Sequence, residues 1–330
     1  MRLPHPTATV AAFCALTFAM AGLGACGGDD DQGDDASAAA PSASTFPSPD
    51  GRTLEELAAE AVPGDELVVS PAGQTFVEGR NRFSFGVFTL DREQVTDAEV
   101  AIYAAAGPGG KAQGPYPARV ESLATEPAFT AESTAADPDA GKVVYATDVL
   151  FDSTGEWRLL ALIRQGEQLA AVRMPSVAVP EKDPIPAEGE RAPRIHTPTA
   201  DDVGGNVAQI DTRVPPSTMH EHDFAEVAGE RPAVLVFATP ALCQSRVCGP
   251  LVDIAEQVKR DVGRDKAEFI HMEIFRDNDP NKGVRPQVAA YNLQTEPWIF
   301  VIDEQGRIDT RVEGAMSVAE LTDAVERVTG

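Results

Sequence analysis

The sequence predicts a two-domain protein, a β-sandwich followed by an α/β domain. Three observations carry this. From about Glu66 to Pro180 apolar residues alternate in period two, with turn residues at intervals and no long amphipathic helix. Residues 181–216 are rich in proline and poor in apolar runs. From Met219 onward the pattern changes to strands alternating with helices. The chain of 330 residues is long enough for two domains, and 43% hydrophobic with 24% charged residues is a globular composition. A formal charge of −25 with no clustered Lys and Arg argues against a nucleic-acid partner. No cofactor is expected.

The first element is an address. Arg2 supplies a basic start, "ATVAAFCALTFAMAGLG" an apolar run, and "LGAC", ending at Cys26, resembles the lipobox of bacterial lipoproteins. The resemblance implies removal of a signal peptide, 1–25, and attachment of lipid to Cys26. It further implies a protein held on the extracytoplasmic face of the cell membrane. Residues 26–60, which begin "CGGDDDQGDDASAAAPSASTFPSPD", are too polar to bury a core and predict a flexible acidic tether. Cys14 leaves with the signal peptide and Cys26 carries lipid, so Cys243 and Cys248 remain as thiols in an oxidising compartment.

The strands expected within 66–180 are "ELVVS", "RFSFGVFTL", "EVAIYAA", "KVVYATDVLF", "EWRLLALI" and "QLAAVRMPSVAV", with turns at "AGPGGKAQGP" and "FDSTGEW". Phe83, Phe85 and either Val87 or Phe88 should fill one face, with Trp157 on a strand packing opposite. The pattern resembles the Ig-like domains of bacterial surface proteins, in particular the YtkA-like type, and implies a spacer or docking module. The proline content of 181–216 predicts a semi-rigid, extended linker.

In residues 217–330, "HDFAEVAGE" predicts a short helix, "PAVLVFAT" a buried strand and "PLVDIAEQVKRDVG" a helix with Pro250 in its first turn. "KAEFIHMEIF" predicts a strand, "QVAAYNL" a helix, and "EPWIFVID" with "RIDTRVEG" a hairpin. The last helix opens with the capping box Ser317 to Glu320. The order is β-α-β-α-β-β-α.

On these residues the C-terminal part resembles the thioredoxin-like family, above all its extracytoplasmic lipoproteins. "VLVFAT" leads into the cysteines as the family's central strand does, "CGP" opens the next helix, and "TEPWIFVID" matches the segment where a cis-proline begins a strand. The resemblance implies that Cys243 and Cys248 are the redox pair and that Pro297 is the cis-proline beside it. It also implies that Glu296 offers its backbone to a bound chain. The sequence departs from the family in its C-x4-C spacing, in Val236 where a buried Asp is usual, and in Leu242 where an aromatic is usual.

Cysteines five positions apart on one helix would be separated by about 7.5 Å along its axis. A disulfide spans at most about 7 Å between Cα atoms, so a bond requires Cys243 in the loop before the helix. Cys248 then sits near the N-cap, where the helix dipole favours a thiolate and Arg246 adds positive charge. Three readings stand: thiol-disulfide exchange on exported proteins, a structural disulfide in a binding module, or soft-metal binding. Sco-type copper proteins carry paired cysteines and a distant histidine on this fold, which would make Cys243, Cys248 and His271 the ligands. The plain reading of His220 and His222 is surface polarity, and that of His271 and Trp298 is core.

Overall fold

A computed structural model describes residues 37–330, so the signal segment 1–25 and Cys26 lie outside the described residues. The described residues, 37–330, lie in one compact unit. Its first part runs through α1 (Leu54–Ala58), β1 (Val62–Pro63), β2 (Leu67–Pro71), β3 (Gly79–Thr89), β4 (Gln94–Val95), β5 (Glu99–Ala106), β6 (Gln113–Pro117), β7 (Arg119–Ser122) and α2 (Glu132–Ala136). It continues through β8 (Val143–Phe151), β9 (Gly155–Gln165), β10 (Gln168–Arg173) and β11 (Val177–Val179). The second part holds α3 (Phe224–Val227), β12 (Ala233–Phe237), α4 (Cys248–Val262), β13 (Glu268–Met272), α5 (Pro286–Ala290), β14 (Trp298–Ile302), β15 (Ile308–Glu313) and α6 (Val318–Thr329). Among the described residues no helix is long and apolar enough to cross a membrane.

Two sheets pack face to face in the first part. One has the order β2-β3-β8-β7 with β4 against β3, the other β1-β10-β9-β5-β6 with β11 against β9. Alternation selects the inner residues: Phe83, Phe85 and Val87 from β3 meet Val100 and Ile102 from β5 and Trp157 from β9. Val87 and not Phe88 completes the row. Trp157 lies edge-on to Phe151 at 5.2 Å between ring centroids. The expected turn "AGPGGKAQGP" contains the start of β6, which pairs with β5 across an irregular register.

The outer face of the second sheet is apolar too, through Ala101, Tyr103, Leu160 and Leu162. Phe46, Leu54 and Leu57 cover it, and Leu57 is fully buried. This differs from the flexible tether expected over 26–60: from Ala38, which exchanges backbone hydrogen bonds with Val120 at 2.9 and 2.8 Å, its described residues fold onto the sandwich. α1 opens with a capping box, Thr53 to Glu56, and lays two leucines on the sheet. Low overall hydrophobicity concealed three well-placed apolar residues.

In the second part the sheet order is β13-β12-β14-β15, with β12 parallel to β13 and antiparallel to β14. β12 is buried on both faces: Val234 and Val236 face α4 and α6, while Ala233, Leu235 and Phe237 face α3 and α5. The segment 181–216, expected as an extended linker, instead packs along this part. Ile185 and Ile195 enter its core, and Gly189 and Ala192 donate amides to the Ile308 and Gly306 carbonyls at 2.8 and 3.0 Å. Single isoleucines between prolines suffice to dock an extended chain.

The two parts share a packed contact. Leu123 and Val144 join the core around α4 and α6. Arg82 and Arg119 both reach Glu320, the residue that also closes the capping box of α6. Burial alone would raise the Glu320 carboxyl, but the two guanidiniums bring it below its ordinary value. α4 is buried on every side as far as Lys259. Its polar stripe is met by the sandwich part and by the segment before α3: Asp253 accepts from the Ala131 amide at 3.1 Å, Gln257 from the Glu126 amide at 2.8 Å, and Lys259 donates to the Thr218 carbonyl at 2.8 Å. The Arg213 guanidinium bonds Asp253 at 2.8 Å.

Candidate functional site

The central strand β12 ends at Phe237, and the chain then turns at Pro240, with the Leu242 amide donating to the Thr239 carbonyl at 3.1 Å. The chain then loops through Cys243 and enters α4 at Cys248. Cys243 and Cys248 form a disulfide with Cα atoms 6.0 Å apart. Loop placement of the first cysteine brings the pair within bonding reach. Cys248 is fully buried among the residues under α4, while Cys243 is half-buried and packs against that cluster. Val247, the N-cap, gives no side-chain cap, so the first amides of α4 point toward the disulfide end without a competing oxygen from that side chain.

The peptide Glu296-Pro297 is cis, and Pro297 is buried. Ser245 joins this segment to the cysteine loop: its Oγ lies 3.2 Å from Cys243 Sγ and donates to the Glu296 carbonyl at 3.4 Å. Burial pushes the Glu296 carboxyl above its ordinary range, opposed by the Gln244 amide. Trp298 turns to the opposite face of the sheet, stacks on Phe300 at 5.8 Å and donates its indole N–H to Thr295 at 3.1 Å. It is core and does not cover the sulfurs.

Arg246 does not act as expected. Its guanidinium holds both oxygens of Asp137, at 3.0 and 2.9 Å, and lies 3.5 Å from Asp139. Two carboxylates thus neutralise the charge that was to favour a thiolate. The residue has φ of +63°, a left-handed conformation uncommon for arginine, and its carbonyl accepts from the Gly141 amide at 2.9 Å. Arg246 therefore ties the cysteine loop to the sandwich part. Beside it a groove of about 460 Å³ runs from Val68 and Phe88 on the sandwich to Gln244 and Val247.

The histidines also differ from expectation. His271 commits Nε2 to the Ala238 carbonyl at 3.1 Å and turns Nδ1 to Asp211 Oδ2 at 3.2 Å. Both ring nitrogens of His271 thus have partners other than the sulfurs. Among the described residues neither sulfur belongs to a cluster of three metal-ligating groups. His220, expected at the surface, is buried with Nε2 3.0 Å from Asp211 Oδ2, whereas His222 is exposed near Glu268. Burial alone would raise Asp211, but the two imidazoles bring it far below the carboxylate range. Burial opposes a proton on His271, yet Asp211 and Glu273 lift it to about 9; burial lowers His220. Sequence reasoning missed Asp211, since an aspartate inside a proline-rich stretch gives no signal of its folded neighbours.

No protein-family model matches the chain, and no curated protein matches it. Among solved structures, a thiol:disulfide interchange protein, a thioredoxin family protein from Chlorobium tepidum TLS, aligns with 42% of this chain and 96% of its own at 18% identity. The TM-score is 0.28, a likeness that carries no inference about activity.

Proposed function

We propose that this chain is an exported, lipid-anchored protein with a thioredoxin-like C-terminal domain that exchanges thiols and disulfides with other exported proteins. The carrying observation is the disulfide itself, which bridges the exit of the central strand to the first residue of α4 beside the Glu296-Pro297 segment. Anchoring through Cys26 rests on the lipobox resemblance, and an Ig-like docking domain on the two facing sheets.

In the oxidised state a partner thiolate attacks Cys243 Sγ, the more accessible sulfur. The Cys243–Cys248 bond breaks as the mixed disulfide forms, and Cys248 departs as a thiolate at the start of α4, where unpaired amides stabilise it. A second partner thiolate attacks the partner sulfur of the mixed disulfide and releases Cys243 as a thiolate, which takes up a proton from solvent. The partner dithiol is oxidised and the pair reduced; the reverse sequence reduces a partner disulfide. The burial of Cys248 favours a second reading, a structural disulfide in a binding module.

Separate variants discriminate. Cys248→Ser should accumulate mixed disulfides with exported proteins, and Cys243→Ser should not. A reduction potential between about −120 and −270 mV is expected for exchange, and one below about −300 mV would mark a staple. Failure of both variants to trap any partner, with a potential in the lower range, overturns the exchange reading. Cys26→Ala should release the protein from the membrane fraction; unchanged sedimentation overturns the anchor.

A further inference from the structure

We infer that Asp211, His220 and His271 form a buried binding site for one divalent transition-metal ion of the Zn²⁺ class, beneath the cysteine loop and separate from the disulfide. Asp211 Oδ2 lies 3.0 Å from His220 Nε2 and 3.2 Å from His271 Nδ1, and each residue's ligand atom lies within 4.8 Å of the others. Zn–N and Zn–O bonds of about 2.0–2.2 Å at tetrahedral angles place neighbouring ligand atoms roughly 3.3–3.6 Å apart, so a small contraction or expansion of this cluster accommodates the ion. Two imidazoles and a carboxylate are a borderline-soft donor set suited to Zn²⁺ and related ions.

The surroundings are those of ligands held from behind. His271 donates its outer Nε2–H to the Ala238 carbonyl, which leaves the Nδ1 lone pair facing inward in the neutral ring. Asp211 is held by the Arg213 amide on Oδ1 at 2.8 Å and the Ser217 amide on Oδ2 at 2.7 Å. The Ser217 hydroxyl, 3.3 Å from His271 Nδ1, is placed for a fourth position. Glu273 is fully buried nearby, its carboxylate accepting from the Thr212 amide and hydroxyl at 2.8 and 2.5 Å.

His220 supplies an independent observation. Its side chain is 3% exposed, and its Nδ1 is buried with no hydrogen-bond partner in normal geometry. If Nε2–H donates to Asp211, Nδ1 is left as a buried acceptor with no donor, an unfavourable arrangement. With a cation between the groups the tautomer reverses. Nε2 then gives its lone pair to the ion, and Nδ1 carries the proton.

The site bears on the cysteine loop through two bonds. Ala238 is the first residue beyond β12, and the Thr212 hydroxyl, next to Asp211, accepts from the Ala241 amide at 3.1 Å.

The purified full-length protein, stripped with chelator and titrated with Zn²⁺, should retain one equivalent through gel filtration and melt at higher temperature when loaded. Co²⁺ should give tetrahedral d–d absorption without a thiolate charge-transfer band. Asp211→Asn and His220→Gln should each lower Zn²⁺ affinity at least 100-fold, while the Cys243→Ser/Cys248→Ser double variant and His222→Gln should bind as the parent does. Folding of each variant is checked by circular dichroism. A folded parent that retains none of Zn²⁺, Co²⁺ or Ni²⁺ overturns the proposal, a result that needs no variant to fold. So does retention unchanged in folded His220→Gln, or lost in the cysteine variant.

Discussion

Replacing Arg213 by methionine should destabilise the protein strongly and in a pH-dependent manner. Arg213 is 8% exposed at its side chain and Asp253, in α4, 2%. The guanidinium also donates to the Pro215 and Phe129 carbonyls at 2.8 and 2.7 Å. Methionine conserves much of the volume but leaves a buried carboxylate without its counter-ion and two carbonyls without the guanidinium donors. Breaking such a pair from one side costs about 3–5 kcal/mol, since the remaining ion keeps its desolvation penalty and loses its attraction. In a unit of this size the midpoint should fall by on the order of 10 °C. Burial already raises Asp253 above its ordinary value, against the Ala131 amide and Arg213, and loss of Arg213 raises it further. A carboxyl with a raised folded pKa binds a proton in the native state that the unfolded chain has released, so stability falls as pH rises from about 4 through the folded pKa. The penalty should therefore be smaller at pH 5 than at pH 8. Urea denaturation at both pH values, on the parent, Arg213→Met and the double variant Arg213→Met/Asp253→Leu, measures each quantity. The double variant should recover at least half of the loss. A penalty under about 1 kcal/mol, the same penalty at both pH values, or no recovery would refute the reasoning.

Two further outcomes are expected. Reducing the Cys243–Cys248 bond, whose cysteines are five positions apart, should cost about 2 kcal/mol from the chain entropy of so short a loop. Melting with and without reductant checks this, and no change in midpoint would contradict it. Leu57→Ala should cost about 2–5 kcal/mol, because Leu57 is fully buried on the outer face of the sheet. A loss below about 1 kcal/mol in chemical denaturation would return this segment to the solvated tether its composition suggested.

What the sequence by itself determined is local. Period-two alternation placed Phe83, Phe85 and Trp157 in one core, and the all-apolar run around Val236 identified a strand buried on both faces. The helix start at Gly249-Pro250 and the reach of a disulfide put Cys243 in the loop, and Ser317 with Glu320 marked the last helix. These are effects of neighbours within a few positions, and the chain carries them explicitly. Tertiary structure decided the rest. Arg246 looked like a charge for the sulfurs until Asp137 and Asp139 came to it from the sandwich part. Asp253, Gln257 and Lys259 are polar residues of α4, and chain from two distant segments covers them. Asp211, His220 and His271 are spread over sixty positions and bear no common motif. A buried charge needs a partner wherever the chain can bring one, so such groups are matched through space, and only the folded chain reveals the match.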